Sequence, residues 1–248
     1  MSDKRIKTKY GFKKMGSSPF VFIAPHAAGD DTKTGIIANK LAQKMAGFLI
    51  VNNRYFKSVN RKAFIYPKRV ADFNNLSWGY SYNKYLWKKK HPDMKLFFKD
   101  IADYCEQAKK YSKNNQAIAV HIHGIDSDSI GVDIGAGIKN HNNGNKVFGS
   151  KRHKEIGQNT GKITLKIGIV KKIKKDLEKK LKKDYNLLVT IGENYSGWSK
   201  QSAIQFHKHM GRDDYAVQFE ISDILRKNKK NRDYIVELFS QVLKNNFI

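Results

Sequence analysis

The chain has 248 residues, with 48 Lys and Arg against 22 Asp and Glu, a formal net charge of +26 and an apolar share of 40%. Its single cysteine, Cys105, excludes an internal disulfide and a thiolate zinc cluster within the chain, so a metal site here must use His, Asp and Glu. The basic, polar segment Met1 to Lys14 lacks the apolar core of a secretion signal, and no run approaches the ~18 apolar residues of a membrane span; a cytoplasmic protein without membrane contact is expected.

The length suits one large α/β domain over residues 1–248, with 1–17 as a flexible or edge segment, and a chain of this size buries roughly three quarters of its unfolded surface. Pro19 to Ala24 is a short apolar run and reads as a buried strand ending at Pro25-His26. Thr34 to Ala46 carries Ile36, Ile37, Leu41 and Met45 at helical spacing, and Phe48 to Asn52 is a second strand. Strand, loop, helix, strand is the pattern of a largely parallel sheet. Arg54 to Lys90 is a long aromatic-rich segment, which reads either as a cover over a site or as a satellite core. Leu96 to Tyr111 is predicted helical, with Cys105 as a small core residue.

Ala117 to His123 is the third strand and ends in two histidines. Asp126, Asp128 and Asp133 follow, and turn chemistry and capping are the expected roles for them. Lys139 to Gln158 is a second long loop holding His141 and His153. Ile163 to Ile169 reads as a strand. Val170 to Lys183 reads as a helix with Val170, Ile173, Leu177 and Leu181 inward and its lysines in water. Leu187–Ile191 and Tyr215–Ile221 are further strands, His207 and His209 sit on a short helix, and Tyr234 to Leu243 closes the chain.

The polar residues that need a reason lie at strand ends, where ligands bind in open parallel sheets. His26 and Asp31 on one loop, with His123 from another strand, would give a catalytic zinc three protein ligands and leave one position open to water. Glu220, in a late strand, would take that water's proton and pass it to a leaving amine. The sequence has no Gly-x-Ser-x-Gly elbow and no phosphate loop of the GxxxxGK[ST] type.

Four segments, in order, resemble the motifs of the N-formylglutamate amidohydrolase family. They are Pro25-His26-Ala27-Ala28-Gly29 with Asp31 and Thr34; Arg54 to Arg61, ending Ser58-Val59-Asn60-Arg61; Val120-His121-Ile122-His123-Gly124; and Asn194-Tyr195-Ser196-Gly197 followed by Val217-Gln218-Phe219-Glu220 and Arg226. The resemblance implies the fold of the zinc carboxypeptidase superfamily: a three-layer α/β sandwich, phosphorylase/hydrolase-like, with a mixed, mostly parallel sheet flanked by helices. It implies one zinc ion on His26, Asp31 and His123, and Glu220 as general base. It implies Asn60 and Arg61 as holders of a substrate carboxylate, with Arg61 or the metal at the oxyanion, and Arg54, Asn194 and Tyr195 as pocket wall. The implied substrate is a small acidic acyl-amino acid or peptide. The sequence departs from the pattern at three places: Asp31, rivalled by Asp30, where a Glu is commoner; Ser58 where Asp is usual; and His121 where Asp is usual. His121 and His123, two apart on a strand, share a face, so His121 is a rival ligand.

The charge of +26 supports a second reading, a nucleic-acid-binding protein or a hydrolase of a nucleic-acid-linked ester on the same fold. Lysines spread along the whole chain are equally what a lysine-rich proteome would give.

Overall fold

In the computed structural model the described residues are 4–29, 31, 33–57, 69, 71–76, 91–138, 161–199, 202–209 and 212–248. The chain forms two compact units, Met1–Gly124 and Ile125–Ile248.

The first unit is built on strands β1 (Ile6–Lys7), β2 (Gly11–Lys14), β3 (Phe20–Ala24), β4 (Phe48–Asn52) and β5 (Ile118–Ile125, whose last residue belongs to the second unit), ordered β1-β2-β4-β3-β5. β3 runs parallel to both β4 and β5, while β1 and β2 add an antiparallel edge. Every residue of β3 and β4 is buried, which is why they read as unbroken apolar runs rather than alternating ones. Helix α1 (Thr34–Lys44) buries Ile37, Ala38, Leu41 and Ala42 against β3 and β4. Helix α2 (Pro92–Lys109) starts with Pro92 in its first turn, where the missing N–H costs nothing. It buries Met94, Phe97, Phe98, Ile101, Tyr104, Cys105 and Ala108 at three- and four-residue spacing, and Cys105 is a buried free thiol.

The second unit has strands β6 (Ile130–Gly135), β7 (Leu188–Ile191) and β8 (Tyr215–Ser222), ordered β8-β6-β7, with β7 parallel and β8 antiparallel to β6. Helix α3 (Ile167–Tyr185) buries Val170, Ile173, Leu177 and Leu181 and turns its lysines out. A 3-10 turn (Ala203–Lys208), a short helix α4 (Asp223–Arg226) and the long α5 (Lys229–Phe247) complete it. Asn228 caps α5 by accepting the Asn231 N–H at 2.8 Å.

The α/β class, with helices on a mixed sheet, is as expected. Two details differ from the sequence reading. Residues 163–169 form no strand: Ile167 opens α3, and the period-two run Ile163, Leu165, Ile167, Ile169 leaves Ile163 and Ile167 exposed. That segment is instead pinned at one residue, where Thr164 donates its N–H to Ala136 and its hydroxyl to the Ala216 carbonyl. β6 holds Asp133 inside a strand, where turn chemistry or capping is expected. The N-terminal residues form the two edge strands β1 and β2. Among the described residues no helix is long and apolar enough to cross a membrane.

Candidate metal centre

The loop after β3 is folded back on itself. The Asp31 N–H reaches the His26 carbonyl at 3.3 Å, and Thr34, the first residue of α1, gives its hydroxyl to the Asp31 carbonyl at 2.8 Å. Asn52, at the end of the neighbouring strand β4, donates its amide to the Pro25 carbonyl at 2.7 Å and to Tyr55 at 3.0 Å. Its oxygen accepts the Arg54 and Tyr55 N–H groups at 3.2 and 2.9 Å. One buried amide thus fixes both loops that leave the parallel strands.

These constraints bring His26, Asp31 and His123 together. His26 Nδ1 lies 3.2 Å and His123 Nδ1 3.3 Å from the same oxygen, Asp31 Oδ2, and the side chains are only 1, 2 and 9% exposed for His26, His123 and Asp31. The imidazole rings stand nearly perpendicular, 76° apart, with centroids 5.0 Å apart. His121 stacks parallel to His123 at 6.5 Å, on the same face as its spacing predicts, and is not one of the three residues whose ligand atoms converge within 4.8 Å. Asp30 lies outside the described residues; Asp31 is the acid that reaches both rings.

A fourth residue, Asp72, was not foreseen. Its Oδ1 is 2.9 Å from His26 Nε2 and also accepts the Asn74 N–H at 2.9 Å. The pairing of Phe56 with Arg69 and Ala71 carries Asp72 to this place. Burial would push the His26 pKa down, but hydrogen bonds to Asp31 and Asp72 outweigh it and raise the ring to about 9. Burial raises both carboxyls, and the histidine bonds overcome that, holding Asp31 and Asp72 below the usual range. His123 is lowered, chiefly by burial, and stays neutral.

The donor set fits a divalent ion. At a pKa of about 9 the metal-free ring carries both protons, giving Nδ1–H to Asp31 and Nε2–H to Asp72. A divalent ion in place of the Nδ1 proton would meet a nitrogen lone pair and a carboxylate oxygen already facing each other. Donors placed tetrahedrally around zinc at ~2.1 Å sit about 3.4 Å apart, close to the observed 3.2 and 3.3 Å. A carboxylate on the far nitrogen of a ligand histidine is the usual supporting contact. Among the described residues His123 Nε2 is buried without a hydrogen-bond partner, while its Nδ1 faces Asp31.

In the second unit, Glu220 is buried in β8 and accepts from Gln218 Nε2 at 3.0 Å; the same amide nitrogen donates to the Tyr195 carbonyl at 2.9 Å. The Asn194-Tyr195 turn is held by Asp133, fully buried in β6. Its two oxygens accept the Thr190 hydroxyl (2.8 Å) and the N–H groups of Glu193 (3.1 Å), Asn194 (2.8 Å) and Tyr195 (3.0 Å). Gly135 allows the close approach, since a Cβ there would stand 2.4 Å from the Tyr195 carbonyl oxygen. Arg226 is structural, donating to the Ile221 and Ile125 carbonyls. His207 is fully buried, its Nδ1 3.5 Å from Asp214 Oδ2. Arg54 is exposed and donates to the Lys9 carbonyl at 3.2 Å. Ser58, Asn60 and Arg61, most of the aromatic segment, and His141 and His153 lie outside the described residues.

No family model matches the chain, and no curated protein matches it in sequence. Solved structures do. The gene product Atu2144 of Agrobacterium tumefaciens superposes with a TM-score of 0.57 at 9% identity, over 94% of this chain and 92% of that one. A succinylglutamate desuccinylase from Vibrio parahaemolyticus gives 0.48 at 9% identity, covering 98% and 75%. A bacteriophage poly-gamma-glutamate hydrolase gives 0.46 at 13% identity, covering 94% and 85%. The first of these likenesses establishes a shared fold.

Proposed function

We propose that the chain is a metal-dependent hydrolase of an amide bond in an N-acyl amino acid or acidic peptide, with one zinc ion held by His26, Asp31 and His123. The observation that carries this reading is the convergence of two buried Nδ1 atoms on one Asp31 oxygen, at 3.2 and 3.3 Å. A divalent ion bound there would polarise a carbonyl and lower the pKa of a coordinated water toward ~7. Asp72 orients His26 through Nε2. Glu220, by its place in the Gln-x-Glu motif, takes the water's proton and delivers it to the leaving amine, and Gln218 steadies its Oε1. Asn60 and Arg61, by their motif, grip a substrate carboxylate, Arg61 also serves the oxyanion, and Arg54, Asn194 and Tyr195 form the wall. An acidic substrate suits a chain of charge +26.

The test is elemental analysis of the dialysed protein beside His26→Ala and His123→Ala, followed by a screen of N-acyl amino acids and acidic peptides with Glu220→Gln as control. About one zinc per chain, lost in both histidine variants, and turnover abolished by Glu220→Gln are expected. A wild type that takes up no zinc, or turnover that survives Glu220→Gln, overturns the reading. Nucleic-acid binding, the competing reading, draws on charge and on the exposed lysines of α3. Charge alone gives no reason for two buried histidines to face one buried carboxylate.

A further inference from the structure

The first unit also carries a groove of about 570 Å³ lined by Ile6, Lys7, Lys9, Lys13, Arg54 and Leu96, with Asp100 at its floor. Lys13 is committed: its Nζ is 2.6 Å from Asp100 Oδ1, while the other Asp100 oxygen accepts the Tyr10 hydroxyl at 2.6 Å. Lys7, Lys9 and Arg54 are exposed, and among the described residues no carboxylate pairs with them. Arg54 is preset by its bond to the Lys9 carbonyl and by Asn52, the residue that also anchors Pro25 beside His26. Gly11, at φ 154°, permits the tight packing, because a Cβ there would stand 2.2 Å from the Val51 carbonyl oxygen.

The register gives the distance to the metal centre. Gly11 of β2 faces Asn52 of β4, and Val51 of β4 faces Ala24 of β3, just before Pro25-His26. The groove therefore opens at the same end of the sheet, from one strand away at Arg54 to three at Lys7 on β1, about 5 to 14 Å at ~4.8 Å per strand and centred near about 10 Å. An extended peptide covers that in about three residues at ~3.4 Å each.

We propose that this groove is a second anion subsite, which takes side-chain carboxylates of an acidic peptide about three residues from the bond addressed at His26, Asp31 and His123. The inference rests on the hydrolase reading and narrows its substrate class to acidic peptides. Guanidinium and ammonium groups on aliphatic walls suit carboxylates on a peptide stem. A single-stranded nucleic acid would call for aromatic side chains to stack its bases, and among the described residues none lines the groove.

Binding of fluorescein-labelled diglutamate and hexaglutamate to the full, zinc-supplemented chain, followed by anisotropy, tests this. The hexamer is expected to bind about tenfold tighter than the dimer, the sum of a few exposed ion pairs. Lys7→Glu/Lys9→Glu should abolish that advantage, while Lys171→Glu/Lys175→Glu, the same charge change on the exposed face of α3, should retain it. No length advantage, an equal loss in both double variants, or displacement of hexaglutamate by a lower concentration of a single-stranded oligonucleotide of equal charge overturns the proposal. If hexaglutamate binds through Lys7 and Lys9 but is never cleaved, the hydrolase reading fails and the subsite stands. If short acyl-amino acids are cleaved without any length advantage, the subsite fails and the hydrolase reading stands.

Discussion

Asp133→Asn should be the most costly isosteric change in the second unit. The carboxylate accepts four hydrogen bonds, two at each oxygen, from Thr190 and Glu193 and from Asn194 and Tyr195. An amide can offer only one oxygen. In its less costly orientation the new NH2 faces Thr190, whose hydroxyl can turn to accept, and the Glu193 N–H, which cannot. One buried donor without a partner costs about 1–3 kcal/mol. The two bonds that survive fall from charged to neutral strength, at about 1 kcal/mol each. The sum, about 3–5 kcal/mol, is a large share of the ~5–15 kcal/mol that holds a typical domain. Urea unfolding of the full chain gives the loss, and native-state hydrogen exchange should show faster exchange at the Glu193, Asn194 and Tyr195 amides. A loss under about 1 kcal/mol with unchanged exchange at those amides would falsify the clamp.

Two further outcomes follow from the same geometry. Asp72→Asn removes the carboxylate from His26 Nε2 while leaving its shape, so zinc affinity, read by competition with a chromogenic chelator, should fall about 10- to 100-fold with one ion still bound at saturation; unchanged affinity would count against a supporting role. Burial works against the Asp214 carboxylate, yet His207 and Arg212 hold its pKa below the ordinary value, so it contributes stability that is fully present above the unfolded pKa of ~3.9 and is lost as pH falls below it. Burial lowers the His207 pKa, so the unfolded chain takes up its proton first and stability begins to decline below about 6.5. Stability measured across acid pH should fall in these two stages, and Asp214→Asn should flatten the lower one; an unaltered profile would refute the assignment.

The parts that the sequence made legible are those whose physics is local. β3, β4 and β5 are buried on both faces and so announce themselves as apolar runs, and Val170, Ile173, Leu177 and Leu181 mark the inner face of α3 by spacing alone. His26 and His123 were conspicuous as polar residues at the ends of such runs, and the β3–β5 pairing is what brings them together. Asp72 gave no comparable signal, because its meaning lies in His26, 46 positions away. Asp133 was misleading in a more instructive way. It takes no part in a local turn, the role expected of it: it sits inside a strand that its flanking glycines disguise, and the turn it holds is 61 positions downstream at Asn194. Ile163 to Ile169 failed because a period-two run at a helix start is indistinguishable from a strand until the burial of each residue is known.

Charge acts at two ranges in this protein, and the two must be kept apart. Around His26 the close contacts are acidic: Asp31 on one ring nitrogen and Asp72 on the other. Lys57 is the cation near enough to act on Asp72 and His123. Most of the net charge of +26 lies farther away, where a Debye length of about 8 Å at physiological ionic strength screens its opposition to a bound cation. The buried carboxylates are screened far less, so the nearest few ångströms decide what the centre holds. The long-range field acts on what arrives from solution, and there it favours anions. A cation centre set in a basic exterior would therefore be self-consistent for an acidic substrate: the outer lysines would gather it, and the inner carboxylates would keep an ion that the positive exterior would otherwise repel.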